Sequence, residues 1–317
     1  MAKAIGIDVG GTNLRVGVFD DLSLIEEKRH QADFSSICKN NAPKEAWSII
    51  LHVLAEAISM RLSEHADIHI IGIGFPGFIN PNTQTIAQSP NFPGLENVNL
   101  SADLGKYLNE NYGKTGLTII VENDANAAAY GEYCLLNKPE AGLIYVGLGT
   151  GVGGGLIVAG KPFVGFNGCA MEVGHIIIHA AGRQCGCGSQ GCLEQYASAS
   201  GVSMTYFEAT GQHLAAHQIA ELARKSDAEA EAAYGRAGEA LATALAHVLK
   251  VVDVPNVVIG GGMSGAWDLM QQAFDARLAA DLIPVLRGKI KVDIANSGDS
   301  AGMLGAALLA THLCLHH

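Results

Sequence analysis

The sequence predicts an α/β protein whose two halves are each built on a mixed β-sheet flanked by helices. Short apolar segments of β type alternate along the chain with longer segments of helical period. A strand, a Gly/Thr turn and a second strand follow one another at two places, around Gly10–Thr12 and around Gly147–Gly155. The two occurrences are about 140 residues apart, which indicates an internal duplication.

The predicted elements alternate in type through both halves of the chain. In the first half we predict strands Ile5–Val9, Leu14–Phe19, Leu24–His30, Ile68–Phe75 and Thr118–Val121, and helices Pro43–Glu64 and Asp124–Asn137. In the second half we predict strands Leu143–Val146, Leu156–Ala159, Asn256–Ile259 and Ile290–Ile294, and helices Ala228–Val252, Trp267–Ala280 and Ser300–His312.

Composition excludes several classes of protein. Of the 317 residues, 49% are hydrophobic and 16% are charged, which excludes disorder as the main state. The net charge of −11 gives the chain no electrostatic attraction for nucleic acid or for an anionic membrane surface. We therefore expect small-molecule ligands, and any bound phosphate must be held by backbone N–H groups and a metal ion.

The cysteines point to a reducing compartment. Their number, seven, is odd, and three of them lie together at Cys185, Cys187 and Cys192. This distribution fits a cytosolic protein with one metal site better than a disulfide framework. We find no signal peptide and no uncharged apolar stretch of the roughly 18 residues that a membrane span needs. The expected localisation is cytoplasmic.

The glycine runs predict phosphate binding. Gly149–Gly154 matches the letters of a dinucleotide fingerprint, but the following Leu156–Ala159 is β-like, so the helix that a Rossmann site requires is missing. Glycines in a hairpin turn let the backbone approach an anion closely, although an ordinary tight turn is the alternative. Two related turns and a third run after a strand favour phosphate binding. The candidate residues are Gly10, Gly11, Thr12, Gly149, Thr150, Gly151, Gly153, Gly260, Gly261 and Gly262.

Two acidic positions stand at predicted strand ends. Asp8 interrupts an apolar strand just before the first glycine turn, where it suits a Mg²⁺ held through water beside a phosphate, or caps the turn. Glu122-Asn123-Asp124 ends a strand and begins a helix. Asn123 and Asp124 are favoured N-cap types, whereas a carboxylate at this position is also suited to act as a general base on an attacking hydroxyl.

A dense group of thiols and imidazoles predicts a zinc site. Cys185, Cys187 and Cys192 supply three ligands, and His175 and His179 are rival fourth ligands. Such a closed site is structural. Glu172 and Glu194 flank this group, where each carboxylate can accept two sugar O–H bonds; the alternative is plain surface charge.

Together these motifs resemble the ROK family (repressors, open reading frames and kinases) of bacterial sugar kinases, which has the actin/hexokinase-like ATPase fold. The resemblance covers essentially the whole chain. The residues that carry it are Asp8–Thr12, Glu122–Ala129, Gly149–Gly155, Glu172–His175, Cys185–Glu194 and Gly260–Gly262. The Glu-x-x-His segment and the Cys-x-Cys-x4-Cys-x-Glu segment are the specific signatures; the glycine loops are not specific.

The resemblance implies two lobes of duplicated ribonuclease H-like fold with the active site in the cleft between them. The lobes would be residues 1–122, completed by the C-terminal helix 300–317, and residues 123–299. Asp124 would be the catalytic base, and His175 would be the zinc ligand. The sugar would be bound by Gly77, Asn91, Asn123, Asp124, Glu172, His175 and Glu194. The cofactors would be ATP, Mg²⁺ and a structural Zn²⁺, and the protein would be a homodimer.

The expected activity is ATP-dependent phosphorylation of a hexose hydroxyl, at C6, with glucose as the first choice of substrate. N-acetylglucosamine, N-acetylmannosamine, fructose and allose are the alternatives, because the motif residues bind hydroxyls common to many hexoses. A sugar-responsive repressor of the same family is the alternative from a different class. It is disfavoured because the first phosphate motif begins at Asp8, and because the acidic charge opposes DNA binding.

Overall fold

Two five-stranded sheets organise the part of the chain that the computed structural model describes, namely residues 3–136, 142–295 and 300–315. These residues divide into two units. The first comprises residues 3–136, 155–170 and 300–315, and the second comprises residues 142–154 and 171–295. Asn137, the predicted end of one helix, and the terminal pair His316–His317 lie outside the described residues.

The strands, in chain order, are β1 Ala4–Val9, β2 Asn13–Asp20, β3 Ser23–Gln31, β4 Ile70–Phe75, β5 Phe78–Ile79, β6 Ile86–Gln88, β7 Glu96–Val98, β8 Thr118–Asn123, β9 Leu143–Leu148, β10 Val152–Val158, β11 Lys161–Pro162, β12 Asn256–Gly260 and β13 Lys291–Ile294. The helices are α1 Phe34–Asn40, α2 Pro43–Glu64, α3 Leu100–Tyr112, α4 Asp124–Leu135, α5 Glu194–Ala197, α6 Ala199–Thr210, α7 Ala216–Ala223, α8 Ala228–Val252, α9 Trp267–Asp281 and α10 Ala301–Leu315.

The two large sheets have corresponding strand orders. The first runs β3-β2-β1-β4-β8, with β2 antiparallel to both its neighbours and with β1, β4 and β8 parallel. The second runs β11-β10-β9-β12-β13, with β10 antiparallel to β11 and with β9, β12 and β13 parallel. The predicted α/β class, mixed sheets and internal duplication are therefore confirmed. A small antiparallel sheet, β5-β6-β7, accompanies the first unit.

The core of the first unit lies between its sheet and the helices α2 and α3. Strands β1 and β4 are apolar on both faces, and α2 directs one apolar face toward them. Fully buried members include Ile5, Ile7, Ile50, Leu54, Ile58, Ile71, Ile73, Phe75 and Leu104. Within the described residues, one helix, α2, is long and apolar enough to cross a membrane by length and composition. Over half of its apolar stretch is buried in this core.

Helix α10 packs against β1, β4 and α4 with small residues at each contact. A Cβ at Gly6 would overlap the carbonyl of Met303, and a Cβ at Gly72 would overlap that of Ala306. Gly305 lies equally close to the carbonyl of Ala127 on α4. Glycine is required at these positions by the close approach of backbone to backbone. This packing fixes the N-terminal end of α4 relative to the sheet.

The sequence placed the boundary between lobes at residues 122/123, whereas in the structure α4 lies in the first unit, together with residues 155–170. The reason is the packing of α4 against α10 just described.

The second unit is built around α8 and α9, where Gly238 of α8 lies against the backbone of Met270 of α9. Asp227 caps α8 by accepting a hydrogen bond from the N–H of Ala230 at 2.8 Å.

Most predicted elements are confirmed within a few residues, and α2 and α8 have the predicted bounds. The predicted strand Leu156–Ala159 is wrong at its start, because β10 begins at Val152 inside the glycine run. Glycine has low β propensity, but the hairpin with β9 and the packing of β10 override it. Helices α1, α3, α5, α6 and α7 were not predicted.

Candidate functional site

The parallel strands of the first sheet end together and carry acidic residues there. Asp8 of β1 lies in register with Gly74 of β4, and Gly74 lies in register with Glu122 of β8. A Cβ at Gly74 would lie 3.6 Å from the Cα of Asp124. Asp8 and Asp124 therefore flank the same glycine at the carboxyl edge of the sheet, which is where α/β sheets bind ligands.

Asn123 and Asp124 form the junction between β8 and α4. The side-chain oxygen of Asn123 accepts hydrogen bonds from the N–H groups of Ala125 and Asn126 at 3.0 and 3.1 Å. Asn123 is thus the N-cap of α4, and Asp124 is the first residue of the helix. Asp124 Oδ1 accepts from the N–H of Ala125 at 2.9 Å, which orients the carboxylate.

Burial raises the pKa of Asp124 above its ordinary value, and the hydrogen bond from the N–H of Ala125 partly opposes this shift. Burial also raises the pKa of Glu122, whose Oε1 accepts from the N–H of Asn123 at 2.8 Å and from Asn126 Nδ2 at 3.1 Å. A partly desolvated carboxylate with a raised pKa is a stronger base than an exposed one, so this strand end is suited to proton transfer.

Gly77 and Asn91 belong to the same region of the first unit. Asn123 Nδ2 donates to the carbonyl oxygen of Gly77 at 3.1 Å. The buried hydroxyl of Ser89 donates to the carbonyl of Pro76, which ties the turn containing the exposed Asn91 to the loop of Gly77. The structure therefore connects three of the predicted sugar-binding positions, Gly77, Asn91 and Asn123, through hydrogen-bonded loops.

The first glycine turn joins β1 to β2. The N–H of Gly10 donates to the carbonyl of Asn13 at 2.9 Å, which closes the turn. Gly11, Thr12 and Asn13 are exposed. A Cβ at Gly11 would meet nothing within 4 Å, so packing within the protein does not require glycine there. A glycine that packing does not require fits a turn whose backbone a ligand approaches closely.

The second glycine turn joins β9 to β10 and is closed by a hydrogen bond from the N–H of Gly149 to the carbonyl of Gly151 at 2.9 Å. Gly149, like Gly11, faces open space. Gly260 ends β12 in register with Gly147 of β9, and Gly261 follows with φ of 79°. A Cβ at Gly261 would overlap the carbonyl of Leu148, so this loop and the hairpin lie side by side at one edge of the second sheet.

Four of the predicted metal ligands converge in the second unit: His175, Cys185, Cys187 and Cys192. Their ligand atoms all lie within 4.8 Å of one another. Cys185 Sγ is 3.7 Å from His175 Nδ1, and Cys187 Sγ is 3.6 Å from Cys192 Sγ. A tetrahedral zinc ion with Zn–S bonds of about 2.3 Å requires sulfur–sulfur edges of about 3.8 Å, so this set fits zinc.

The thiols of this cluster differ in their environments. Hydrogen bonding from the backbone N–H of Ser189 lowers the pKa of Cys187 to about 7. Burial raises the pKa of Cys192 to about 12. His179, the rival ligand, is exposed, and its ring makes an edge contact with Tyr196 at 4.8 Å between centroids. The geometry thus brings His175, and not His179, to the thiols.

A second group of possible metal ligands, Glu26, Glu64 and His65, lies in the first unit. The guanidinium of Arg61 bonds to the carboxylates of both Glu26 and Glu64. This buried cation already pairs with both carboxylates, so we assign the group a structural role.

Glu172 lies beside His175, and Glu194 follows Cys192 by two residues in the chain. Glu172 precedes a 3₁₀ turn, Val173–His175, and its Oε2 is 3.9 Å from His175 Nε2. Glu194 begins α5, and its Oε2 accepts a hydrogen bond from the N–H of Val152 at 3.0 Å. The hydrogen bond from Leu193 N–H to the carbonyl of Ile176, at 2.9 Å, joins the two segments.

The predicted residues thus form two groups. Asp8, the first glycine turn, Gly77, Asn91, Asn123 and Asp124 lie in the first unit. The second glycine turn, Gly260–Gly262, Glu172, Glu194 and the metal ligands lie in the second. Sequence reasoning missed Ser200, whose hydroxyl donates to the carbonyl of Thr150 at 3.3 Å. Arg183, which donates to the carbonyls of Gln195 and Gly201, was also not predicted as a residue of the candidate site. Ser198, an N-cap type three residues before Gly201, was the available signal for α6.

A cavity of about 530 Å³ opens beside the start of α6 in the second unit. Phe207 and His213 at this cavity stack with their ring centroids 3.9 Å apart and their planes at 17°. The other lining residues are Ala199, Ser200, Ser203, Met204, Leu214, Ala215 and Ala216. Ala199 and Ser200 also bond to the second glycine turn, so the cavity begins next to that turn.

Comparison with known proteins gives a consistent result. The family model described as "ROK family" matches residues 4–312. The chain is 30% identical to the glucokinase of Thermotoga maritima, with 96% of each chain covered. It is 33% identical to the N-acetyl-D-glucosamine kinase of Shigella boydii, with 96% of this chain and 98% of that protein covered. Among solved structures, the ROK family glucokinase of Streptomyces griseus, in complex with glucose and AMPPNP, is 29% identical. It has a TM-score of 0.77, with 98% of this chain and 99% of that chain covered.

Proposed function

We propose that this chain, which belongs to the ROK family, transfers the γ-phosphoryl group of ATP to a hydroxyl of a hexose. The family match and the curated relatives confirm the predicted enzyme class, a sugar kinase, and the predicted actin/hexokinase-like fold. The observation that carries the mechanism is the position of Asp124. It is a partly buried carboxylate at the start of α4, beside the sheet edge that also bears Asp8.

Asp124 acts as the general base in this proposal. Its Oδ1 is held by the N–H of Ala125, which leaves Oδ2 to accept the proton of the attacking sugar hydroxyl. The raised pKa makes the carboxylate a better base at neutral pH. The hydroxyl oxygen attacks the γ-phosphorus, the bond from phosphorus to the β,γ-bridging oxygen breaks, and ADP leaves.

The two glycine turns and the Gly260–Gly262 loop bind the nucleotide. Gly11, Gly149 and Gly262 face open space, which supports close approach of phosphate and ribose to the backbone. Asp8 would hold the Mg²⁺ that accompanies ATP, and this ion would neutralise charge on the phosphates. The cavity beside α6 has the volume and the flat aromatic wall that suit a nucleobase.

The sugar hydroxyls are bound by Glu172, His175 and Glu194, together with Gly77, Asn91, Asn123 and Asp124 of the first unit. His175 turns Nδ1 toward the thiols, so Nε2 remains available for a sugar hydroxyl beside Glu172. The three cysteines of the cluster and His175 would hold a structural zinc ion, which would fix the orientation of the imidazole. The chemistry of phosphoryl transfer then belongs to Asp124 and to the groups that hold the phosphates.

Glucose is the substrate we propose, with phosphorylation at C6. The relatives' names cover both glucose and N-acetylglucosamine, so the acetamido sugar is the first alternative, ahead of N-acetylmannosamine, fructose and allose. A coupled ADP-release assay over these sugars tests the proposal. We expect the highest kcat/KM for glucose, and a higher value for an amino sugar would replace glucose. ADP release that no sugar stimulates would contradict the sugar-kinase mechanism.

We further propose that the protein is cytoplasmic, where ATP is abundant, and that it forms the homodimer that the family resemblance implies. Sedimentation equilibrium tests the second statement: a mass of one chain at micromolar concentration would contradict it. Fractionation of the source cells tests the first.

A further inference from the structure

Glu194, which follows Cys192 by two residues in the chain, contacts the second glycine turn. Its Oε2 accepts the N–H of Val152, the first residue of β10, at 3.0 Å. A Cβ at Gly151 would overlap this same oxygen. The carboxylate therefore lies directly over the backbone of Gly151 and Val152, in space that any larger residue at position 151 would occupy.

The residues that follow Glu194 hold the rest of the turn. The N–H of Ala199 donates to the carbonyl of Gly149 at 2.9 Å, and the hydroxyl of Ser200 donates to the carbonyl of Thr150 at 3.3 Å. Residues 194–200 thus contact the turn at Gly149, Thr150 and Val152. Of these three contacts, the one at Val152 involves a charged partner, and hydrogen bonds to charged groups are the stronger kind.

Val152 is also contacted by the segment that contains Glu172 and His175. A Cβ at Gly174 would overlap the carbonyl of Val152. The backbone of Val152 is therefore fixed at its N–H by Glu194 and confined at its carbonyl by Gly174. Both neighbours belong to the segments to which the proposed function assigns sugar binding.

We infer that Glu194 is a positioning residue for the nucleotide phosphates, in addition to the sugar contact that the proposed function gives it. The inference rests on the proposed function for the identity of the ligand on the turn. One carboxylate oxygen holds the turn in its phosphate-binding shape, and the other faces the sugar.

The test is calorimetric titration of the whole protein with Mg·AMPPNP in the absence of any sugar. Omitting the sugar separates the effect on the turn from the effect on sugar binding. For Glu194→Ala we expect nucleotide affinity to fall about tenfold, the size expected for losing a hydrogen bond to a charged group. Glu194→Gln keeps a carbonyl acceptor for the Val152 N–H, and we expect its sugar-free nucleotide affinity within about twofold of wild type.

Glu172→Ala is the matched comparison, because it removes a carboxylate that lies beside His175 in the same unit. We expect it to weaken sugar binding and to leave sugar-free nucleotide affinity within about twofold of wild type. Circular dichroism and zinc content establish that each variant is folded. If Glu194→Ala does not fold, Glu194→Asp replaces it: its shorter side chain withdraws the carboxylate from Val152, and we expect at least about a fivefold loss.

Wild-type nucleotide affinity in folded Glu194→Ala, or in Glu194→Asp where that variant replaces it, would overturn the inference and leave the sugar-kinase proposal intact. Tighter binding, from removal of repulsion between the carboxylate and the phosphates, would overturn it as well. Failure of the wild-type protein to bind Mg·AMPPNP at all would instead contradict the proposed function.

Discussion

The side chain of Asn123 donates to the carbonyl oxygen of Gly77 at 3.1 Å while its own oxygen caps helix α4. One amide group therefore joins the loop of a predicted sugar-binding residue to the helix that begins with Asp124. The position of the proposed base depends on this group, because both partners of the bond lie in the first unit and meet at the same strand ends.

Substitutions of Asn123 separate its capping of α4 from its hydrogen bond to Gly77. Asn123→Ala loses the cap of α4 and the bond to Gly77, and we expect a loss of about 1–2 kcal/mol in the free energy of unfolding, measured by urea denaturation. Asn123→Asp keeps the acceptor for the N–H groups of Ala125 and Asn126 but loses the donor to Gly77. We expect it to retain most of the stability and to lose kcat; equal stability of the two variants would show that the cap contributes nothing.

Asp124→Asn keeps the size of the side chain and its acceptor for the N–H of Ala125, but it removes the base. We expect kcat to fall by at least about 10²-fold, with the sugar dissociation constant within a few fold of wild type. Rapid-quench measurement of the chemical step and fluorescence titration with sugar check the two halves of this expectation. Turnover near the wild-type level would remove Asp124 from the mechanism.

The pH profile follows from the direction of the Asp124 pKa shift. The base must be ionised, so kcat falls as pH decreases through the pKa of Asp124. Because burial raises that pKa, the acid limb lies above the value of about 3.9 for an exposed aspartate. Glu122 also has a raised pKa but is not the proposed base. The limb should persist in Glu122→Gln; its disappearance there would transfer the role to Glu122.

Metal analysis tests whether His175 or His179 is the fourth ligand, because the spacing in the sequence allows both. We expect about one zinc per chain in the wild type and in His179→Ala, and a loss of zinc in His175→Ala and Cys185→Ser. Cys169→Ser is the matched control for the cysteine variant, because Cys169 is exposed and lies outside the cluster. Inductively coupled plasma mass spectrometry gives the stoichiometry. Full zinc content in folded His175→Ala would show that the imidazole is not a ligand.

Much of the fold could be predicted because local pattern and burial agree. Helices α2 and α8 have apolar residues at helical period, so their first and last residues could be predicted. The start of β10 was missed because three glycines follow its first residue, Val152, and glycines give no pattern of burial in the sequence. The packing of α4 against α10, about 180 residues away in the chain, was not predicted, because sequence pattern does not report pairings between distant segments.

The candidate site shows the same division. The spacing of Cys185, Cys187 and Cys192 predicted a metal site, because a tetrahedral thiolate set needs these residue types close together in the chain. The identity of the fourth ligand depends on the bridge between Ile177 and Cys192, which brings His175 toward the thiols. Nothing in the spacing connects Glu194 to Val152, 42 residues earlier.

The α/β class, the duplication, the glycine turns and the candidate metal ligands could all be predicted from residue types, because each depends on residues that lie close together in the chain. Three features became known from the folded chain: His175 lies beside the thiols, α4 packs against α10, and Glu194 bonds to the glycine turn. These depend on contacts between distant segments, whose geometry is fixed by the packing of the whole unit rather than by any local preference.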